Sequence, residues 1–432
     1  MSTISFTDLP QEILVSIASV LTGVINRSCL VALLKTARFL RPAAEYVLYH
    51  TVECWKSRSC TVKFIRTITS NGRLGLLVRS FAPYKVPHND HKYHDDVAIA
   101  MRSMPNLKSL KVGNDIFQLP RPLRRISEWG VEVQPFQLER LEVDLGFVRE
   151  ILKKTWYPSQ LGQDLLRLLQ RQRSLRQLRL NIKGDLPSDM VPPESHWTDL
   201  SMASSKPKPL DQIKVSQWRK ACASLEVLEG SRTAIRLLLP GATGVKAVFW
   251  HFGQRRSEER TWASGWDAAR IVEEGWGDLF TSELCEAYGR LEHLVVAYQI
   301  YMLPVLVPFL TSLKTLVLYI AGSPFIFLGW GEEEEKSALL DTIVQISNLE
   351  TLAIIQEPRR GINFDLEPQV VFARCPKLRE FVCMTCDMWA DGEDAIIVAM
   401  ERGKDGTVRH ADYGVILRRQ YVMGGWISMV VD

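Results

Sequence analysis

The chain has little that would mark it as secreted, membrane-spanning or catalytic. It lacks any run of about eighteen uncharged apolar residues, so no membrane-spanning helix is expected. Its most apolar stretch, Ile300 to Ile320, is interrupted by Pro304, Pro308 and Lys314. Asp8 and Glu12 break the first apolar run and no basic segment precedes it, so no signal peptide is expected. Cysteine is sparse: eight in 432 residues, at Cys29, Cys54, Cys60, Cys222, Cys285, Cys375, Cys383 and Cys386. That usage reads as reduced thiols of a cytoplasmic or nuclear protein. An excess of one charge is also missing. The 53 Lys and Arg stand against 49 Asp and Glu, a net +4, which argues against a nucleic-acid reader driven by phosphate neutralisation.

Signatures of catalysis are absent as well. There is no Gly-x-Ser-x-Gly elbow, no Gly-x-x-x-x-Gly-Lys-Ser/Thr phosphate loop and no Gly-x-Gly-x-x-Gly after a strand. Nothing nominates a nucleophile or a general base, so no enzyme and no cofactor are expected. Two arrangements could pass for metal sites. His88-x-x-His91-x-x-His94, with Asp90, Asp95 and Asp96, has ligand spacing, but Pro87 and Asn89 point to a solvated loop. Cys383-x-x-Cys386 has no second pair at zinc-finger spacing, and Cys383 falls on an apolar strand position. No metal is expected.

What is present begins at the first residues. Phe6 to Val52 spells three short helices. Asp8 is placed to cap the first, with Gln11 in capping-box position and Pro10 tolerated in the first turn. Ile13, Ile17 and Val20 recur at helical spacing, and Leu14, Ala18 and Leu21 make a second stripe beside them. Two adjacent stripes exceed what so small a bundle needs internally, which implies a helix that serves both its own bundle and a partner.

These residues resemble an F-box. The family's Leu-Pro-x-Glu-Leu/Ile-Leu-x-x-Ile opening matches Leu9 to Ile17, and Leu21, Leu30, Leu33 and Leu34 fall on its later apolar positions. The family's closing tryptophan is replaced by Leu48-Tyr49-His50-Thr51-Val52, an ending similar to that of the large fungal F-box families, and the 22–28 loop lacks the usual Pro-Asp. The resemblance implies docking on a Skp-family adaptor of an SCF (cullin-RING) ubiquitin ligase. It assigns adaptor contacts to Leu9, Pro10, Ile13, Leu14 and Ile17, with Leu21, Leu30, Leu33 and Leu34 shared between contact and bundle core.

A phrase then recurs. Leu107-x-x-Leu110-x-Val112 is followed by copies starting at Leu138, Leu175, Val245, Leu291, Leu313, Leu349 and Leu378, with a weaker one at Leu225. Several are entered through Asn or Ser, as in Met104-Pro105-Asn106 and Ile346-Ser347-Asn348. This is the signature of leucine-rich repeats: each phrase ends in a short strand, helical segments such as 163–172 and 335–345 lie between, and the units stack. The spacing is irregular, from 20 residues (225 to 245) to 50 (175 to 225), so the array is degenerate. Ahead of the array, the pattern predicts a helix over 59–70 ended by Gly72, a strand over 76–81 and a helix over 95–103.

The expected fold is therefore α/β: a three-helix F-box over 1–53, then an irregular leucine-rich-repeat solenoid with a parallel sheet over 54–412. Inserted loops are expected at 185–210, 250–276 and 321–336, and a terminal capping hairpin at 413–432 with strands in 414–431. The expected role is substrate receptor, with the repeats binding a protein; a repeat scaffold without a ligase role stays open beside it. Lys111, Glu142 and Arg179 on the open sheet face, and Trp262 and Trp266 in the tryptophan-rich insert, are the candidate substrate contacts. Neither nucleic acid nor membrane is expected as a partner.

Overall fold

The computed structural model describes residues 9–20, 27–36, 38–54, 57–84, 90–114, 121–128, 136–145, 166–182, 217, 220–230, 232–250, 279–297, 302–320, 332–356, 366–385 and 396–410. The chain divides into two compact units, Met1–Ile182 and Lys183–Asp432.

The first unit opens on three helices, α1 (Gln11–Val20), α2 (Arg27–Thr36) and α3 (Arg41–His50). Ala18, Leu30 and Ala44 form their buried centre, with Leu33, Leu34, Val47 and Leu48 packed around it. Pro42 stands in the first turn of α3, where its missing N–H costs nothing. From α3 the chain runs directly into β1 (Thr51–Glu53). Helix α4 (Arg58–Ser70) follows, and the Ser57 hydroxyl accepts from the Cys60 N–H at 3.4 Å to cap it. It buries Thr61, Phe64, Ile65 and Ile68, one face at the i, i+3, i+4, i+7 spacing. The Phe64 ring packs on Phe81 of β2 (Ser80–Ala82), with centroids 5.2 Å apart.

Three expectations for this region shift. Gly72 does not end a helix; it opens the single turn α5 (Gly72–Gly75), because Asn71 already closes α4 by donating its N–H to the Thr67 carbonyl. Leu76 and Leu77 lie in the turn after α5, so the strand is confined to Ser80–Ala82. The next helix, α6 (His91–Arg102), begins four residues before Asp95 because the Asp90 carboxylate accepts from the Tyr93 N–H at 3.2 Å. His91 and His94 therefore belong to a helix rather than a loop, with His94 buried; His88 lies outside the described residues.

The repeat phrases become strands in register. In the first unit, β3 (Ser109–Asn114), β4 (Arg140–Leu145) and β5 (Gln177–Ile182) extend the parallel pairing begun by β1 and β2. Leu110, Leu141 and Leu178 stand abreast, and so do Val112, Val143 and Leu180. Helix α7 (Arg121–Glu128) lies between β3 and β4 in sequence and buries Leu123 and Ile126. In the second unit, β6 (Val227–Gly230), β7 (Ala247–Trp250), β8 (His293–Ala297), β9 (Thr315–Ile320), β10 (Thr351–Gln356) and β11 (Glu380–Thr385) pair in parallel. Leu228, Val248, Leu294, Leu316, Leu352 and Phe381 form one buried row. Helices lie between successive strands, among them Ser282–Gly289, Glu332–Ile343 and Pro368–Arg374. The acidic run from Glu332 thus opens a helix rather than ending an inserted loop, while 321–331, and residues 185–210 and 251–276 of the other expected inserts, lie outside the described residues.

One backbone pattern explains why the phrase repeats. The N–H of the first leucine donates to the carbonyl three residues back: Leu107 to Met104, Leu291 to Tyr288, Leu349 to Ile346, Leu378 to Cys375. The next two N–H groups then share a single carbonyl of the preceding repeat, as Lys314 and Thr315 share that of Glu292. Asparagine at the phrase entrance adds a side-chain link of the same kind. Asn106 donates to the Leu76 carbonyl at 2.7 Å and Asn348 to that of Thr311 at 2.8 Å.

The parallel run ends earlier than expected. β12 (Ile396–Arg402) pairs antiparallel to β11, and β13 (Val408–His410) antiparallel to β12. The turn between them carries Gly406 at φ +82°, a conformation that suits glycine, and Asp405 accepts from the Thr407 N–H and hydroxyl. The hairpin expected within 414–431 lies outside the described residues. No helix among the described residues is long and apolar enough to cross a membrane.

Candidate functional site

Helix α1 divides its apolar residues between two directions. Leu14 and Ala18 are buried within the chain. Ile13, Ile17 and Val20, spaced i, i+4, i+7, are 47%, 40% and 80% exposed. The two sequence stripes are thus separated: one fills the bundle and the other faces out. Leu9 is half-buried and Pro10 exposed, and the Pro10 carbonyl accepts from both Ile13 and Leu14 N–H. Leu30 is buried, Leu33 and Leu34 are half-buried against the bundle centre, and Val31 of α2 is exposed. Leu21 lies outside the described residues. Of the residues singled out, then, Leu14 and Leu30 serve the bundle, while Pro10, Ile13 and Ile17 are available to a partner.

The bundle is pinned from behind. Glu45 of α3 is 5% exposed and accepts from Arg41 at 2.9 Å and Arg73 at 2.5 Å. Burial by itself would raise this carboxyl, but the hydrogen bonds from Arg73 and then Arg41 outweigh it and hold it below the ordinary carboxylate value. Arg73 lies on α5, so the bundle is tied to the segment that leads into β2.

A second surface is polar. Lys111, Glu142 and Arg179 occupy equivalent places on β3, β4 and β5 and stand abreast. Glu142 lies between the cations, 2.7 Å from Lys111 Nζ and 3.7 Å from Arg179 Nη1. The carboxylate is buried and Lys111 half in solvent. The three predicted substrate contacts on strands therefore come together. Trp262 and Trp266 lie outside the described residues.

In the second unit the corresponding position of β6 is a buried glutamate, Glu229, and the positions abreast of it on the following strands turn apolar. These are Phe249, Val295, Val317, Ala353 and Val382, joined by Val227, Ala247, Ile355, Met384 and Ala399 in one buried cluster. The central residues of β7 to β10 are buried on both faces of the sheet, so these positions are core.

Sequence reading missed a third feature, a charge ladder at the residue after each phrase's first leucine. Glu292 meets Lys246 at 2.9 Å on one side and Lys314 at 2.6 Å on the other, and Arg379 meets Glu350 at 3.4 Å. Lys108 and Glu139 make the same contact in the first unit, at 2.5 Å. Hydrogen bonds from Lys314 and Lys246 hold Glu292 down at about 2. The signal was in the chain: Lys108, Glu139, Arg176 and then Glu226, Lys246, Glu292, Lys314, Glu350, Arg379 alternate in sign without a break. No group of His, Cys, Asp and Glu suited to a metal ion occurs among the described residues.

Comparison with known proteins finds no family model that matches the chain and no curated protein that matches it.

Proposed function

We propose that the protein is a substrate receptor of an SCF-type ubiquitin ligase. In this reading α1 to α3 dock on a Skp-family adaptor and the repeats hold a protein substrate. The observation that carries it is the outward stripe Ile13, Ile17 and Val20 on a helix whose other stripe already fills the bundle. Covering each such side chain would contribute about 1.5–3 kcal/mol, so a few suffice for a stable dock. The resemblance of Leu9 to Ile17 to the F-box opening supplies the identity of the partner.

The mechanism is positional. The receptor performs no bond chemistry; it raises the effective concentration of a substrate lysine beside a charged ubiquitin-conjugating enzyme. Lys111, Glu142 and Arg179 offer a polar surface on the repeats to which a substrate can bind.

Co-expression of the full chain with a Skp-family adaptor tests the reading. Wild-type protein is expected to co-purify with the adaptor and Ile13→Asp to lose it while staying folded. No co-purification by the wild type, or undiminished co-purification by the variant, overturns the assignment.

A further inference from the structure

Two thiols outside the docking stripe are held together where the opening helices lead into the repeats. Cys54 follows β1, and Cys60 sits in the first turn of α4. Their sulfur atoms are 2.8 Å apart. That is within about 0.8 Å of a disulfide bond length. Both are thiols here.

The backbone fixes this approach from both sides. The Cys54 N–H donates to the Ala82 carbonyl of β2 at 2.9 Å, which anchors it to the sheet. The Cys54 carbonyl accepts from the Ser57 N–H at 3.1 Å, and the Ser57 hydroxyl accepts from the Cys60 N–H at 3.4 Å. Ser57 is therefore hydrogen-bonded to the backbones of both cysteines, to the Cys54 carbonyl through its N–H and to the Cys60 N–H through its hydroxyl. They also differ in access: Cys54 is buried and Cys60 half-buried.

We infer that Cys54 and Cys60 are a reversible oxidation site for peroxide-class oxidants, cycling between a dithiol and a disulfide. The more accessible Cys60 thiolate attacks the peroxide, the O–O bond breaks, and Cys60 becomes a sulfenic acid while hydroxide leaves with a proton to form water. The Cys54 thiol, already at the sulfur, then displaces the second water and forms the S–S bond. Two thiols lose two electrons and two protons, and one peroxide becomes two waters. In a reducing compartment the dithiol is the resting form and the disulfide is transient. Oxidation covalently links the end of β1 to the first turn of α4. The inference is independent of the docking reading above.

The sequence supplies its own assay. Lys56 and Arg58 separate the two cysteines, so trypsin places Cys54 in residues 39–56 and Cys60 in residues 59–63. Full-length protein treated with hydrogen peroxide at stoichiometric ratio and digested without reductant is expected to yield these peptides linked. Intact protein becomes about 2 Da lighter, and reductant separates the peptides. Full alkylation of both thiols after treatment, or sulfinic acid at Cys60 with Cys54 unchanged, overturns the inference. Cys54→Ser is expected to leave a sulfenic acid at Cys60 that dimedone traps. Dimedone labelling of Cys54 in Cys60→Ser, with none on Cys60 in Cys54→Ser, overturns the order of attack. The wild-type digest decides the existence of the pair even if Cys54→Ser fails to fold.

Discussion

Arg73 of α5 donates to the buried carboxylate of Glu45 at 2.5 Å, across 28 residues of sequence. The opening helices are thereby held to the segment that enters the sheet, and the first compact unit contains both. Both arginines are more than half exposed, so each can return to water if the carboxylate is removed. Glu45→Ala is expected to lower the stability of the chain by about 1–3 kcal/mol, read by chemical denaturation. The sign with pH follows from the lowered folded value. The contribution is complete above the ordinary carboxyl value of 4.5 and is lost as pH falls through the lower folded one. The gap between wild type and variant should therefore close in acid.

Gly75 makes a sharper claim about the same turn. A Cβ built on it would stand 1.9 Å from the Ser103 carbonyl oxygen, a backbone atom that cannot swing aside. Glycine is required there by close approach rather than by its dihedral freedom. Gly75→Ala is expected to cost about 1–3 kcal/mol as α5 and the end of α6 are forced apart. Gly72, with nothing within 4 Å of the same position, should accept alanine with little change. Thermal denaturation of the two variants side by side checks the contrast.

Neighbouring residues of α1 should likewise behave as opposites. Leu14 is buried, so Leu14→Ala is expected to destabilise by about 2–5 kcal/mol. Ile13 and Ile17 are exposed, so Ile13→Ser and Ile17→Ser are expected to change stability by no more than about 0.5 kcal/mol. If the exposed pair proves as costly as Leu14, the outward stripe is part of the fold and has nothing to offer a partner.

Much of this was legible in the chain, and unevenly so. Each repeat phrase became a strand of a parallel sheet, as expected, because its leucines are spaced for the turn and the first buried row. The two stripes of α1 could be read directly from helical spacing. Caps were harder to place. The α6 start depends on the Asp90 side chain finding the Tyr93 N–H, and Asp90 stood beside Pro87 and Asn89, which suggested a loop. The β12–β13 hairpin has no leucine phrase, although Asp405-Gly406 is a turn signal. The difference between the two units also lay in view. Leu110-Lys111-Val112 alternates, as a half-exposed strand should, whereas Leu316-Val317-Leu318 and Ala353-Ile354-Ile355 run apolar without interruption, as strands buried on both faces do. Reading only the leucine positions hid this, because they are apolar in both cases.

The charge ladder predicts a pH effect that the buried rows cannot produce. Glu292 accepts from Lys314 and Lys246, and those bonds hold its carboxyl at about 2 against an ordinary 4.5. A lowered folded value means that the carboxylate stabilises the folded chain fully above 4.5, progressively less below it, and not at all once pH drops past about 2. Glu292→Gln keeps the shape and removes the charge. The variant is expected to unfold at lower denaturant than wild type at pH 7, with the two midpoints converging between pH 4.5 and 2. Both lysines are at least half exposed, so added salt should shrink the difference at pH 7 as well. Lys246→Glu sets like charges side by side and should lower the midpoint further than Glu292→Gln does. A midpoint for Glu292→Gln that tracks wild type at every pH would mean that alternation of sign along the repeats contributes nothing to how they stack.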